Sequence, residues 1–300
     1  MNLAESRGIE RQGLAEVALL QRDCANDRAV GPGSRAFAEQ RRKIARRDKV
    51  FETTVNVHIH QFQPGGAVVD AAALAQFQEQ WATYRKLVES DCLAHREVSG
   101  ILRETLTDVF TSPFCFLDIA CGDASTMKAA LRGTQVRHYH GIDLSQAALD
   151  LAAANLAELP FEVELDHRDF VEAMMRRPEH ADATWCSLSI HHLSTDDKLH
   201  LMKAIRGATS ARGIFLLYEP TRRVDEDRAA YLDRFMRTNK PLWTVLTPAE
   251  WDQIRHHVTT CDFPETAAVW CELGRDAGFG EARQVFVDPT NFLRLFRFEG

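Results

Sequence analysis

Leu117-Asp118-Ile119-Ala120-Cys121-Gly122-Asp123-Ala124-Ser125 continues the apolar run that begins at Phe114. A short apolar run closed by small residues reads as a buried strand, Phe114–Ile119, that ends in a tight loop and a helix at about 125–132. The same unit recurs downstream. Residues 137–143 read as a second strand, and Ser145 is a fitting N-cap for a helix at 146–158. A third strand at 161–166 precedes a short helix near 169–176. A fourth strand at 181–190 precedes Ser194-x-x-Asp197, which reads as a capping box opening a helix to about 208. Residues 213–219 form a fifth strand. Strand–helix alternation at this spacing predicts crossover connections and a parallel sheet. Helices fill most of 224–278. The end of the chain reads as two strands joined at Asp288-Pro289-Thr290-Asn291, an antiparallel pair at the sheet edge. The expected fold is α/β, a doubly wound and mostly parallel sheet.

Upstream, Leu74, Phe77, Trp81, Tyr84 and Val88 fall on one helical stripe, and Val98, Ile101, Leu102, Leu106 and Val109 on a second. Both stripes need a sheet to cover, so 67–112 is read as a helical cap. Residues 1–66 are read as an N-terminal extension. Gly31-Pro32-Gly33-Ser34 breaks it, 35–49 suits a basic helix, 50–62 suits a strand, and Pro64-Gly65-Gly66 breaks it again. The remainder, 113–300, is the main domain, with 224–278 as a helical lid inserted in it.

The 300 residues are 45% hydrophobic and 26% charged, ordinary globular composition that can bury a core without disulfides or a structural metal. The net charge of −7 argues against a dedicated nucleic-acid binder, which normally shows a basic stripe. Residues 1–50 alone are net basic, with the run Arg41, Arg42, Lys43, Arg46, Arg47 and Lys49; a solvated helix face explains it. No apolar run reaches the length of a membrane span. Seven cysteines without a C-x-x-C pair predict a reduced, cytoplasmic protein with no zinc site. Glu5, Glu10, Glu16 and Asp23 disfavour a secretory or transit leader.

Ligands of open parallel sheets bind beyond the carboxyl ends of the strands, where strand order reverses. The loop after the first strand holds one glycine, Gly122, among the small residues Ala120, Cys121 and Ala124. Backbone can approach a ligand there, but the G-x-G-x-x-G of dinucleotide folds and the G-x-x-x-x-G-K-[ST] phosphate loop are both absent. The second strand ends Gly141-Ile142-Asp143-Leu144-Ser145, and an acid at such a tip accepts hydrogen bonds from ribose hydroxyls. The third leads to Asp166-His167-Arg168-Asp169-Phe170, an acid and an aromatic able to bond an exocyclic amine and flank a purine ring. Together these describe an adenosine pocket that does not recognise pyrophosphate.

In this order and spacing, LDIACGDAS, YHGIDLS and HRDF resemble the successive binding motifs of the class I S-adenosylmethionine-dependent methyltransferases. The resemblance covers about 70–298 and includes the terminal antiparallel pair that completes the family's seven-stranded sheet. It implies S-adenosylmethionine as cofactor. It places Gly122 and Ala120 against the methionine part, with Asp118 supporting the loop. Asp143 takes the ribose, Asp169 with Phe170 holds the adenine, and Leu144 beside Asp143 belongs to the same cofactor pocket. Ser187, at the end of the fourth strand, borders the same pocket. The first loop departs from the family in having one glycine where many members have two or three; Ala120 and Ala124 are expected to substitute sterically.

Methyl transfer from a sulfonium needs an in-line nucleophile in a desolvated pocket, and much of the rate comes from holding the reactants together. The fourth strand sets acceptor chemistry. It ends Ser187-Leu188-Ser189-Ile190-His191-His192-Leu193. The N/D-P-P-Y/F tetrapeptide of base-amine methyltransferases is missing. No acid stands there to hold Mg²⁺, so no catalytic metal is expected. His191 and His192 are the candidate general bases. Tyr84, His95 and Arg96 on the cap helices are candidates for the methionine carboxylate or the acceptor. Tyr218, Glu219 and Arg222 at the fifth strand's tip, and Trp243 in the lid, are candidates for the acceptor. His58 with His60, and His256 with His257, form pairs without visible partners. The expected activity is methyl transfer to an O or N atom of a small molecule, with no nucleic-acid or membrane partner and with the extension as a possible homodimer arm. A non-catalytic cofactor-binding or regulatory protein is the alternative. A nicotinamide oxidoreductase is disfavoured by the missing glycine fingerprint.

Overall fold

The structure, a computed structural model, describes residues 82–176 and 180–300. The extension at 1–66, with its basic run and His58 and His60, lies outside the described residues, as does the first stripe up to Trp81. Residues 82–89 are helical, as that stripe predicts. Helix α1 (His95–Val109) follows and buries Val98, Leu102 and Leu106.

The sheet is assembled from β1 (Phe114–Ile119), β2 (Val136–Asp143), β3 (Glu162–His167), β4 (Ala181–Ser187), β5 (Thr209–Arg222), β7 (Glu281–Val287) and β8 (Leu293–Glu299). Their order is β3-β2-β1-β4-β5-β8-β7, and the two-residue β6 (Glu265–Thr266) pairs with β5. The first five run parallel, and β8 pairs antiparallel with both β5 and β7. Strand order reverses between β1 and β4, which puts the switch point at the loop after β1.

Alternation along the strands divides the core in two. On one face Phe116, Tyr139, Trp185, Leu216 and Tyr218 meet α1, α2 (Ser125–Leu131) and α3 (Gln146–Leu156). On the other Leu117, Cys186, Phe215 and Leu217 meet α4 (Phe170–Met175), α5 (Thr195–Ala208) and α8 (Ala267–Asp276). Helices α6 (Arg228–Leu242) and α7 (Pro248–Cys261) contribute Tyr231, Phe235, Trp251 and Val258 to the first core. The 224–278 region is therefore two different things. Its first part is the α6–α7 pair, while β6 and α8 belong to the sheet and its second layer.

Three local readings are corrected. The fourth strand stops at Ser187, because Leu188 turns the chain at φ 53° and Ile190–His192 form a short 3-10 turn. The fifth strand extends from Thr209 to Arg222, with Thr209 paired to Ala181 of β4 at its start and its far end lengthened by pairing with β8 and β6. Ser194 caps α5 through the Asp197 amide, but the Asp197 carboxylate is bonded by the Ser194 hydroxyl, so the reciprocal box does not form. A full box forms at Thr247 and Glu250, heading α7.

Candidate functional site

The loop after β1 departs from its strand through three left-handed residues in alternation, Ala120 (φ 55°), Gly122 (φ 55°) and Ala124 (φ 51°). L-residues pay roughly 1–2 kcal/mol for that conformation, so two alanines sit where glycine would be relaxed. Backbone bonds close the turn: Cys121 donates to the Ile142 carbonyl at 3.0 Å and Ala124 to that of Cys121 at 3.0 Å. The loop lies against β2 where Gly141 has no side chain, since a Cβ there would stand 2.9 Å from Cys121 Sγ. Asp118 is buried below the loop. Its bonding partner is the Tyr139 hydroxyl, which donates at 2.6 Å, so it does not hold the loop backbone directly. Burial pushes its pKa up to about 7 against the Tyr139 bond, with nearby Asp143 adding to the rise.

Asp143 ties the two tips together. Its Oδ2 accepts the Gly122 amide at 2.9 Å and its Oδ1 the Ser145 amide at 2.8 Å. The half-buried carboxylate sits above its ordinary pKa through desolvation, which outweighs these bonds. Leu144 beside it is 65% exposed, an apolar platform at the strand tip. The third tip is fastened to the second, since Arg168 donates its amide to the Asp143 carbonyl at 3.0 Å and the His167 ring meets the Leu144 carbonyl at 2.8 Å. Asp169 caps α4 by accepting the Glu172 amide at 3.0 Å, and Phe170 packs partly buried against the second core. The three motifs expected to act together are thus joined by hydrogen bonds along one sheet edge.

Residue types here fit S-adenosylmethionine. The loop presents left-handed backbone with small side chains. The carboxylate beside it has both oxygens fixed, and an exposed apolar residue flanks it. No lysine or arginine stands on the loop to neutralise phosphates.

At the carboxyl end of β4, Ser187 ends the strand with its carbonyl bonded by the Ser189 hydroxyl. Glu219 is fully buried. It accepts the amides of Ser189 and Ile190 through Oε1 and meets His191 Nδ1 at 2.5 Å through Oε2. Across the ring, His191 Nε2 lies 3.5 Å from Asp262 Oδ1. Desolvation disfavours the charged ring, but Glu219 and Asp262 outweigh it and raise the His191 pKa to about 9. Burial, and then the charge of His191, lower His192 to about 3; its Nδ1 stands 3.2 Å from the Cys261 carbonyl. The two adjacent rings are thus shifted in opposite directions from the ordinary imidazole range. Asp262, at the end of α7, escaped the sequence reading, because nothing marks an acid 70 residues downstream as a partner of these histidines. His256 and His257 were visible as a pair, and only His257 joins this cluster, with Nε2 3.8 Å from Asp262.

Several candidates stand elsewhere. Tyr218 is fully buried and donates to the Leu93 carbonyl at 2.9 Å, which makes it core and not an acceptor contact. Glu219 positions the β4 turn and His191, and none of it faces solvent. Arg222 donates to the carbonyls of Pro264 and Glu226. Trp243 is packed edge-on to Phe235 and Trp251 inside the α6–α7 pair. His95 and Arg96, with Asp123 and Ser125 of the first loop, line a cleft of about 550 Å³. Arg96 is largely exposed and bonds Glu89 and Asp91, while buried His95 is lowered to about 4 by desolvation and meets the Tyr84 hydroxyl at 3.4 Å.

Residues 116–213 match a family described as a methyltransferase domain. No curated protein sequence matches the chain. Among solved structures, a "possible exported protein" from Bordetella parapertussis is 19% identical over 80% of this chain and 76% of that one, with a TM-score of 0.51. Magnesium protoporphyrin IX methyltransferase from Synechocystis PCC 6803, with bound SAH, is 12% identical over 75% of this chain and 94% of that one, at 0.52. An O-methyltransferase family protein from Burkholderia thailandensis is 16% identical over 70% and 57%, at 0.51, so this chain spans little more than half of it. These likenesses agree on the fold. Among the described residues no helix is long and apolar enough to cross a membrane.

Proposed function

We propose, on the premise that the chain is a class I S-adenosylmethionine-dependent methyltransferase, that its acceptor is an O or N atom of a small molecule. The observation that carries the reading is the Gly122–Asp143 bond, which sets a carboxylate and an approachable backbone side by side at the switch point. When bound, the cofactor supplies an electrophilic methyl group on a sulfonium. Asp143 would receive the ribose hydroxyls, Leu144 and Phe170 would flank the adenine, and Asp169 would accept its amine. Gly122 and Ala120 would lie against the methionine part, within reach of Tyr84, His95 and Arg96 as candidates for its carboxylate. The acidic net charge and the missing base-amine tetrapeptide favour a small acceptor over nucleic acid.

Neither histidine is matched to general base catalysis at neutral pH. Against burial, Glu219 and Asp262 raise the His191 ring, and burial lowers the His192 ring, each away from the near-neutral range that suits a general base. Transfer on this reading depends on position and desolvation more than on proton abstraction. A cytoplasmic location and a homodimer through the extension belong to the same proposal. Calorimetry with S-adenosylhomocysteine and with NAD tests the cofactor, and binding of NAD alone refutes it. Transfer of labelled methyl groups into a metabolite extract tests the acceptor. Tight cofactor binding with no labelled small product favours a non-catalytic binder, and label in nucleic acid refutes the small acceptor.

A further inference from the structure

At the carboxyl end of β4, four side chains from two distant stretches converge. His191 and His192 come from the 3-10 turn, and His257 and Asp262 from the end of α7. Asp262 Oδ1 stands at the centre. It is 3.5 Å from His191 Nε2, 3.6 Å from His192 Nδ1 and 3.8 Å from His257 Nε2. This buried oxygen makes no hydrogen bond that satisfies distance and angle, although three imidazole nitrogens face it. The donor atoms of His191, His192 and Asp262 all lie within 4.8 Å of one another.

We propose that His191, His192 and Asp262 form a binding site for a divalent transition-metal ion of the zinc class, with His257 placed to complete it. Ligands about 2.0–2.2 Å from zinc stand roughly 3.3–3.5 Å apart in a tetrahedron, and the separations around Asp262 are within a few tenths of an ångström of that. An imidazole-rich set with one carboxylate favours zinc, cobalt or nickel over magnesium or calcium, which prefer all-oxygen shells.

The outer shell has the form that metal-binding histidines require. A ligating imidazole usually donates its other N–H to a carboxylate or carbonyl, which fixes ring and tautomer. His191 Nδ1 meets Glu219 Oε2 at 2.5 Å, and the other oxygen of Glu219 is held by the Ser189 and Ile190 amides. His191 therefore cannot rotate away, and its Nε2 is aimed at Asp262. The His192 ring, whose side chain is 34% exposed, gives the ion a route from solvent. On binding, His191 Nε2 releases its proton to solvent and His192 Nδ1 exchanges its contact with the Cys261 carbonyl for the metal. The sequence alone points the other way, since no acid lies between Ser187 and Leu193. The acid arrives through the fold.

The test is titration of the chelator-treated full-length protein with Zn²⁺ by calorimetry, and with Co²⁺ by visible absorption, which separates tetrahedral from octahedral coordination. One equivalent of zinc and intense tetrahedral cobalt bands are expected. Asp262→Asn and His192→Ala should each weaken zinc binding at least about 100-fold, and Glu219→Gln about 10–100-fold, with far-UV circular dichroism confirming that each variant is folded. Wild-type protein that binds neither ion overturns the site, as does zinc binding that survives unchanged in folded Asp262→Asn and His192→Ala. S-adenosylhomocysteine titrated in parallel reports on the cofactor pocket, so failure of one reading is distinguishable from failure of the other.

Discussion

The Gly122 amide donates to Asp143 Oδ2 at 2.9 Å, so one carboxylate fastens the first loop to the tip of the second strand. Its other oxygen takes the Ser145 amide at 2.8 Å. Asp143→Asn turns one of these acceptors into a donor facing an N–H. Hydrogen bonds to charged groups are worth about 1.5–3 kcal/mol, so S-adenosylhomocysteine binding should weaken about 10–100-fold. A lowered melting temperature should accompany the loss, because the same change unfastens the loop. Calorimetry and thermal unfolding measure the two effects separately.

Ala120 and Ala124 stand at φ 55° and 51°. Replacing either with glycine removes roughly 1–2 kcal/mol of backbone strain and gives back about 0.4–1 kcal/mol through a more flexible unfolded chain. Each variant should be modestly stabilised, by up to about 1.6 kcal/mol in urea unfolding. Ala120→Val should be destabilised, since a β-branched residue tolerates positive φ least.

The opposite manipulation applies at Gly141. A methyl group there meets Cys121 Sγ and a Tyr139 ring carbon at 2.9 Å and a Leu165 methyl at 3.0 Å. Gly141→Ala should cost about 1–3 kcal/mol, the range for overpacked cores, and should weaken cofactor binding because the displaced side chain belongs to the loop. Cys121→Ala in the same background should recover part of both, a coupling that denaturant melts of the four proteins would reveal.

Two buried groups give the fold opposite responses to pH. Asp118 titrates near 7 when folded and near 3.8 when unfolded. Its contribution is complete below 3.8 and is lost as pH rises through about 7. His95 titrates near 4 when folded against an ordinary 6.5. Its contribution is present above 6.5 and is lost as pH falls through about 4. Asp118→Asn should therefore remove the loss of stability on going from pH 5 to 8. His95→Phe, which keeps a ring beside Tyr84 and Tyr218, should remove the loss between 6.5 and 4. Melting temperatures across that range distinguish them.

The sheet was legible because strands such as Phe114–Ile119 declare themselves by composition and by the turn that follows. The joining of the β1, β2 and β3 tips proposed to hold the cofactor was legible because their residues belong to short motifs near strand ends, where each tip is a few consecutive positions. The surroundings of the β4 and β5 tips were not. Tyr218 and Glu219 look available on a strand tip, yet burial depends on α1 and the β4 turn, which close over them from elsewhere in the chain. Trp243 reads as a lid residue until Phe235 and Trp251 are seen to enclose it. Asp262 meets His191 only because α7 and β6 return the chain to β5. That is long-range information without a periodic trace.

That return is held by Lys198, fully buried on α5. Its Nζ bonds the Phe263 carbonyl at 2.5 Å and Glu265 Oε1 at 2.9 Å, and Glu265 also accepts the Thr195 hydroxyl at 2.7 Å. The segment they fix begins one residue after Asp262. Breaking a buried ion pair from one side typically costs about 3–5 kcal/mol, because the remaining charge is left without its partner. Lys198→Met should show a loss of that order in denaturant unfolding. Lys198→Met with Glu265→Leu should recover much of it, because replacing both charges with apolar side chains removes the unpaired group. If the single variant unfolds at the wild-type denaturant concentration, the pair is not what holds the 262–266 segment against α5.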